Sequence, residues 1–168
     1  MSYIKVVNKK YADEYVVGNL LKYGEEGENR EFLGGCGISD LSDKYESRDM
    51  NFVKKLYGKE NGRQAYQIII SIYKNRKTKN REERIDKYKV ESTYAFIIAE
   101  EISDMLYEKG FQNAVYRHED SDYVHLHFMI NSVNYKTGRK ASDMKELLNE
   151  VSNYLRKNYP RLDWIGEI

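Results

Sequence analysis

From Tyr123 to Asn131 the chain alternates strictly, with Val124, Leu126, Phe128 and Ile130 apolar and Tyr123, His125, His127, Met129 and Asn131 interleaved. A period of two over this length predicts a β-strand with one face on a packed core. Residues 114–118 read as a partner strand, and Glu119-Asp120-Ser121-Asp122 between them has turn chemistry, which makes a hairpin. Further strands are expected over residues 3–8 and 65–73. Elsewhere the period lengthens to that of a helix. Residues 11–23 carry Val16, Leu20 and Tyr23 on one stripe, with Gly24 as a stop. A short helix is expected over 50–56, and a long one over 92–109 with Phe96, Ile97, Ile98, Ile102, Met105 and Leu106 inward and Gly110 closing it. The last helix, 142–158, takes Ser142 as N-cap and Met144, Leu147, Leu148, Val151 and Leu155 as its apolar stripe. The glycine-rich stretch after residue 24, with Gly34-Gly35-Cys36-Gly37, reads as a loop. Strands joined by helices and a hairpin make an α+β sandwich, its central sheet mostly antiparallel and flanked by helices.

Length and composition refine this picture modestly. At 168 residues and 40% hydrophobic content the chain is a folded single domain, placed at residues 1–160 with 161–168 as a tail carrying Trp164. No apolar run approaches the roughly 18 residues that a membrane helix needs, and the first residues do not resemble a signal peptide. Cys36 is the only cysteine, so no internal disulfide is available and a reducing cytoplasm is the expected setting. A net charge of +1 excludes a uniformly basic nucleic-acid binder. Local excess is what matters. Residues 74–89 hold eight Lys or Arg against three acids, and Lys136, Arg139 and Lys140 form a second cluster. Lys74, Arg76, Lys77, Lys79, Lys136, Arg139 and Lys140 are therefore candidate phosphate contacts. A solvated charged loop accounts equally well for the first cluster alone.

The chemistry concentrates in the hairpin. All three histidines lie between His118 and His127. His125 and His127 share one face of their strand, roughly 6–7 Å apart at about 3.3 Å per residue. With a four-residue loop, His118 would stand opposite Tyr123 and diagonal to His125. Three imidazoles so placed can share a metal ion, and Asp120 can accept the other ring N–H of a histidine and fix its tautomer.

His-x-Asp followed by His-hydrophobe-His and Asn-Ser-Val-Asn, here His118 to Asn134, resembles the third motif of plasmid and conjugative-element relaxases of the HUH endonuclease superfamily. Tyr135-Lys136-Thr137-Gly138-Arg139-Lys140 is similar to the segment that follows it. Leu56-Tyr57-Gly58-Lys59-Glu60-Asn61-Gly62-Arg63-Gln64-Ala65-Tyr66 resembles the approach to the family's second conserved strand. Asn19-Leu20-Leu21-Lys22-Tyr23 resembles its first motif. The matches come in family order and span about residues 3 to 157.

The resemblance implies an HUH-type sandwich that nicks one strand of DNA at an origin of transfer. Tyr23 would be the nucleophile and His118, His125 and His127 would hold a divalent metal, Mg or Mn in the family. Imidazole ligands also suit other transition metals. Asp120 matches the acidic position of the His-x-Asp element. Partners implied are single-stranded origin DNA, accessory DNA-binding proteins and secretion-system coupling proteins, with no membrane and a monomeric state. Two departures stand out: Gln67 lies where a histidine is common, and residues 24–31 hold four glutamates against Arg30 alone. Tyr154, on the last helix, is the rival nucleophile, in the arrangement of single-tyrosine transposases and rolling-circle initiators. A DNA- or metal-binding module without nicking activity is the remaining alternative.

Overall fold

The computed structural model describes residues 1–7, 11–12, 16–25, 29–39, 43–74, 81–120 and 122–165, with the side chains at 16, 23–25, 43–46 and 81–91 outside that description. Five strands form one sheet: β1 (Tyr3–Val6), β2 (Arg30–Cys36), β3 (Ala65–Tyr73), β4 (Asn113–Glu119) and β5 (Tyr123–Asn131). Their order is β1-β3-β5-β4-β2, and every pairing is antiparallel. Among the described residues four α-helices accompany them: α1 (Val16–Glu25), α2 (Asp43–Leu56), α3 (Arg81–Glu108) and α4 (Lys145–Asn158). The expected α+β sandwich is what the chain forms.

The period of two on the central strands divides the sheet into two faces. Tyr66, Ile68, Ile70 and Ile72 of β3 meet Val124, Leu126, Phe128 and Ile130 of β5 on the first face. Ala95, Ile98, Ala99, Ile102 and Leu106 of α3 and Leu147, Leu148, Val151 and Leu155 of α4 close over them. This is the main core, and burying each such aliphatic side chain contributes roughly 1.5–3 kcal/mol. The second face carries a smaller cluster, in which Val17 and Leu21 of α1 and Met50 of α2 pack on Ala65, Ala114, Tyr116 and Met129. The three histidines alternate onto this second face, beyond its apolar part.

Several elements differ from expectation for physical reasons. The stretch read as a glycine loop contains β2, an edge strand that pairs only with β4 and shifts register between Phe32 and Gly34. Gly35 has to be glycine: a Cβ there would stand 2.1 Å from the Asn113 carbonyl oxygen and 2.9 Å from the Ala114 Cα. Helix α3 begins at Arg81, well before residue 92, so part of the basic stretch is helical. On it Phe96 and Ile97, expected inward, are exposed; the buried stripe is Ala95, Ile98, Ala99, Ile102 and Leu106. Helix α4 starts at Lys145 with Met144 as N-cap in place of Ser142, and the Asp143 carboxylate accepts the Lys145 N–H. Of the helix expected over 11–23, residues 13–15 lie outside the described residues, and Tyr11 instead bridges Ala65. Residues 161–165, expected as a tail, run beside the first strand. Ser2 donates its N–H to the Asp163 carbonyl and accepts from the Ile165 N–H, while Trp164 packs on the main core. Among the described residues no helix is long and apolar enough to cross a membrane.

Candidate active site

The hairpin turns one residue further along the chain than expected. Asp120 closes it: its Oδ1 accepts the N–H groups of Asp122 and Tyr123, and its own N–H donates to the Tyr123 carbonyl. This Asx-type turn shifts the pairing by two positions, so His118 stands opposite His125 and not opposite Tyr123. A two-residue shift keeps every side chain on its face. The histidines therefore meet, with ring centroids 5.8 Å apart for His118–His125, 6.1 Å for His118–His127 and 6.3 Å for His125–His127.

Sheet register surrounds them with further polar groups. One row across the second face is Tyr3, Ser71, His125, His118 and Arg30; the next is Lys5, Ile69, His127, Tyr116 and Phe32. Ser71 Oγ lies 2.8 Å from His125 Nδ1, and Asp120 Oδ2 lies 2.8 Å from His125 Nε2. Gln67 Nε2 lies 3.1 Å from His127 Nδ1, and the buried Tyr11 hydroxyl donates to Gln67 Oε1. Burial pushes the His127 imidazole down to about 4, assisted by His125, His118, Arg30 and Lys5. Burial and the Arg30 charge lower His118 as well. The Asp120 carboxyl is held at about 2: burial pushes it up, and the hydrogen bonds from His125, Asp122 and Tyr123 outweigh that.

Among the described residues no group of three His, Cys, Asp or Glu side chains already stands in a metal-holding arrangement. The ring nitrogens are instead engaged by their neighbours. Asp120 only accepts, so His125 Nε2 carries a proton in that contact and offers no lone pair. With Gln67 Nε2 donating to His127 Nδ1, the His127 proton sits on Nε2. Turning the Gln67 amide about reverses this, because Oε1 then accepts Nδ1–H and Nε2 becomes a ligand atom. Tyr11, whose hydroxyl both donates and accepts, can serve either orientation. In chemistry the donor set suits a divalent ion: three imidazoles on one face, those of His118 and His127 depressed, beside a carboxylate.

The comparison that decides the family is with the model of the MobA/VirD2-like relaxase nuclease domain, which matches residues 15–159. The chain belongs to this relaxase family. Relaxase relatives from Staphylococcus aureus, each called Protein rlx, are 31% identical over 146 residues (87% of this chain, 38% of the relative) and 28% identical over 131 residues (78% and 34%). The chain thus spans somewhat over a third of their length. Two solved structures are similar more distantly. One, from work on the molecular basis of vancomycin resistance transfer in Staphylococcus aureus, has a TM-score of 0.48 and 15% identity, covering 96% of this chain and 90% of that one. A MobM relaxase domain bound to 26-nucleotide oriT DNA has a TM-score of 0.46 and 18% identity, covering 95% and 84%.

Within this relaxase domain the candidate residues separate. His118, His125, His127 and Asp120 come together. Tyr23 belongs to α1 on the same sheet face, and its side chain is outside the described residues. Tyr154 packs on the main core with α4, across the sheet from the histidines. The sheet divides them. Of the candidate phosphate contacts, Arg76, Lys77 and Lys79 lie outside the described residues. Lys74 is turned inward, 3% exposed, donating to the Asp120 carbonyl and pairing with Glu119 at 3.6 Å, so it braces the turn. Lys136 and Lys140 donate to the carbonyls of Glu108 and of Lys59 and Asn61, while Arg139 is exposed. That last cluster follows the far end of β5, four residues or about 13 Å beyond His127. Sequence reasoning missed Arg30, Lys5, Ser71 and Tyr11 around the histidines. Only pairing register could have revealed them, because each comes from a different strand or bridge.

Proposed function

We propose that this domain nicks one strand of DNA, with Tyr23 as nucleophile and the three histidines as the seat of a divalent metal, Mg or Mn in the first instance. One observation carries the reading. Helix α1, which bears Tyr23, packs on the histidine face and ends five residues before Arg30, the β2 partner of His118. Tyr154, across the sheet, has no such connection.

In the proposed reaction the Tyr23 hydroxyl gives its proton to water, its oxygen attacks phosphorus and the bond from phosphorus to the 3′-oxygen breaks. The product is a 5′-phosphotyrosine, and the 3′-oxygen takes up a proton to become a hydroxyl. Ester bond energy is kept, so reversal reseals the strand. A free tyrosine, with a pKa near 10, is a weak nucleophile at neutral pH. A cation held by His118, His125 and His127 supplies charge withdrawal from the phosphate. The chain's own groups do the remainder: Ser71 and Gln67 aim the rings, Asp120 anchors the turn beside His125, and Arg30 and Lys5 put positive charge next to the histidine rows. The substrate we propose is single-stranded DNA at an origin of transfer, engaged by a monomer in the cytoplasm. Accessory DNA-binding and secretion-system coupling proteins act with it.

Incubation with single-stranded oligonucleotides covering a cognate origin and Mn²⁺, read on denaturing gels and by peptide mass spectrometry, tests this. The expected product is a covalent adduct on Tyr23 that EDTA abolishes. An adduct on Tyr154 or none at all, with folded protein and a verified origin, would overturn it. The second result would leave a DNA- or metal-binding module without nicking activity.

A further inference from the structure

Beyond Ala65 the second face continues into a polar cavity of about 550 Å³, walled by Asn51 and Lys54 of α2 and by Glu60, Asn61 and Gln64 of the following loop. Lys54 is 1% exposed. An ammonium has three protons to donate, and one goes to Asn51 Oδ1 at 3.0 Å. Among the described residues no carboxylate pairs with it. A buried charge without a counter-charge is costly, and proteins ordinarily pair it or neutralise it. Here a second cation approaches instead. Lys140 stands behind the cavity wall, fixed by the carbonyls of Lys59 and of the wall residue Asn61, with its Nζ 3.8 Å from where a Cβ on the wall residue Gly62 would stand. Burial and the Lys140 charge together push the Lys54 amine down to about 7. Glu60 lines the cavity without an ion pair to either lysine among the described residues. What the two ammonium groups lack is an anion paired to them.

We propose that the cavity is an oxyanion site that takes a phosphate group, with Lys54 and Lys140 supplying the charge and Asn51 fixing the Lys54 ammonium. Its place on the histidine face suggests the phosphate's source, a step that rests on the nicking function proposed above. Ala65 lies four residues along β3 from Ile69, the partner of His127, about 13 Å away. A strand crossing the histidines can therefore lay a neighbouring phosphate in the cavity. Free phosphate is the other source with the same chemistry.

Two measurements test the site without any cleavage assay. In the first, thermal unfolding is followed in inorganic phosphate and in sodium chloride at matched ionic strength, for the unaltered chain, Lys54→Met and Lys140→Gln. A saturable phosphate-dependent rise in Tm is expected for the unaltered chain, absent in Lys54→Met and reduced in Lys140→Gln. No phosphate-specific rise in the unaltered chain overturns the proposal, and so does an equal rise in Lys54→Met. In the second, anisotropy of a labelled oligothymidylate is measured across salt concentrations. Loss of one strand phosphate contact in Lys54→Met lowers the slope of log K against log salt by about 0.7. An unchanged slope in Lys54→Met, with the phosphate-dependent Tm rise present in the unaltered chain and absent in that variant, assigns the site to free phosphate. Failure of nicking touches neither readout.

Discussion

His118 and His125 face each other directly across β4 and β5, ring centroids 5.8 Å apart, with Asp120 on the outer nitrogen of His125 and Ser71 on the inner one. The ring is held from both sides before any ion arrives. Its aim is set by neighbours, and its availability is set by whether Asp120 lets go.

Changing the holders should therefore change metal affinity without removing a ligand. Ser71→Ala and Gln67→Leu are each expected to weaken Mn²⁺ binding about 10- to 100-fold, as outer partners of metal ligands commonly do. His127→Ala should abolish it. Calorimetry with Mn²⁺ on the three variants checks this, and wild-type affinity in both Ser71→Ala and Gln67→Leu would remove their positioning role.

Tyrosine substitutions divide along the sheet. Tyr23→Phe should eliminate the covalent adduct, whereas Tyr154→Phe should leave its yield within about twofold, the size of a change in packing alone. Tyr154 touches the Glu101 carboxylate and the main core, so its loss is a matter of stability. Adduct yield beside a melting curve separates the two effects.

Lys54 makes stability depend on pH with a definite sign. Its folded value of about 7 is depressed from an ordinary lysine near 10.5, so the unfolded chain binds more protons between those limits. Stability is then gained as pH rises through that window and lost as pH falls towards 7. Relative to Lys54→Met, the unaltered chain should gain roughly 2 kcal/mol between pH 7 and pH 9. Urea unfolding of both chains at the two pH values measures it; a difference independent of pH would contradict the depressed value.

Gly35→Ala should be among the most damaging small substitutions on β2. The added Cβ meets the Asn113 carbonyl at 2.1 Å, which is backbone and cannot swing aside. A loss of about 2–4 kcal/mol is expected, in the range of overpacked and strained sites. Gly34→Ala, with nothing within 4 Å but a positive φ of 111°, should cost less steric energy and more backbone strain. Chemical denaturation compares them directly.

The parts of the fold legible in the sequence were those governed by strict periodicity. The alternation from Tyr123 gives β5 and its two faces, and residues 65–73 coincide with β3. The hairpin register was displaced by two, yet the histidines still converge, because side-chain direction depends on parity and not on exact pairing. Strand β2 was hidden because Gly34 and Gly35 carry a loop signature, whereas here they let an edge strand approach β4 closely. The start of α3 was hidden too, since residues 81–91 are charged and lack an apolar stripe until α3 meets the sheet. Lysines were the hardest to place. Charge runs say nothing about which carbonyl a long side chain will reach, so Lys74 read as a DNA contact and Lys54 did not register at all.

Strand β5 builds the main core with one set of positions and presents the chemistry with the other. Evolution can thus edit these two sets almost independently by substitution, but never by insertion. One added residue between Val124 and His127 would exchange the sets, sending an imidazole among isoleucines and a leucine to the histidine face. A saturation scan from Val124 to Phe128 should consequently read as a two-beat rhythm, abundance falling at 124, 126 and 128 and adduct formation at 125 and 127.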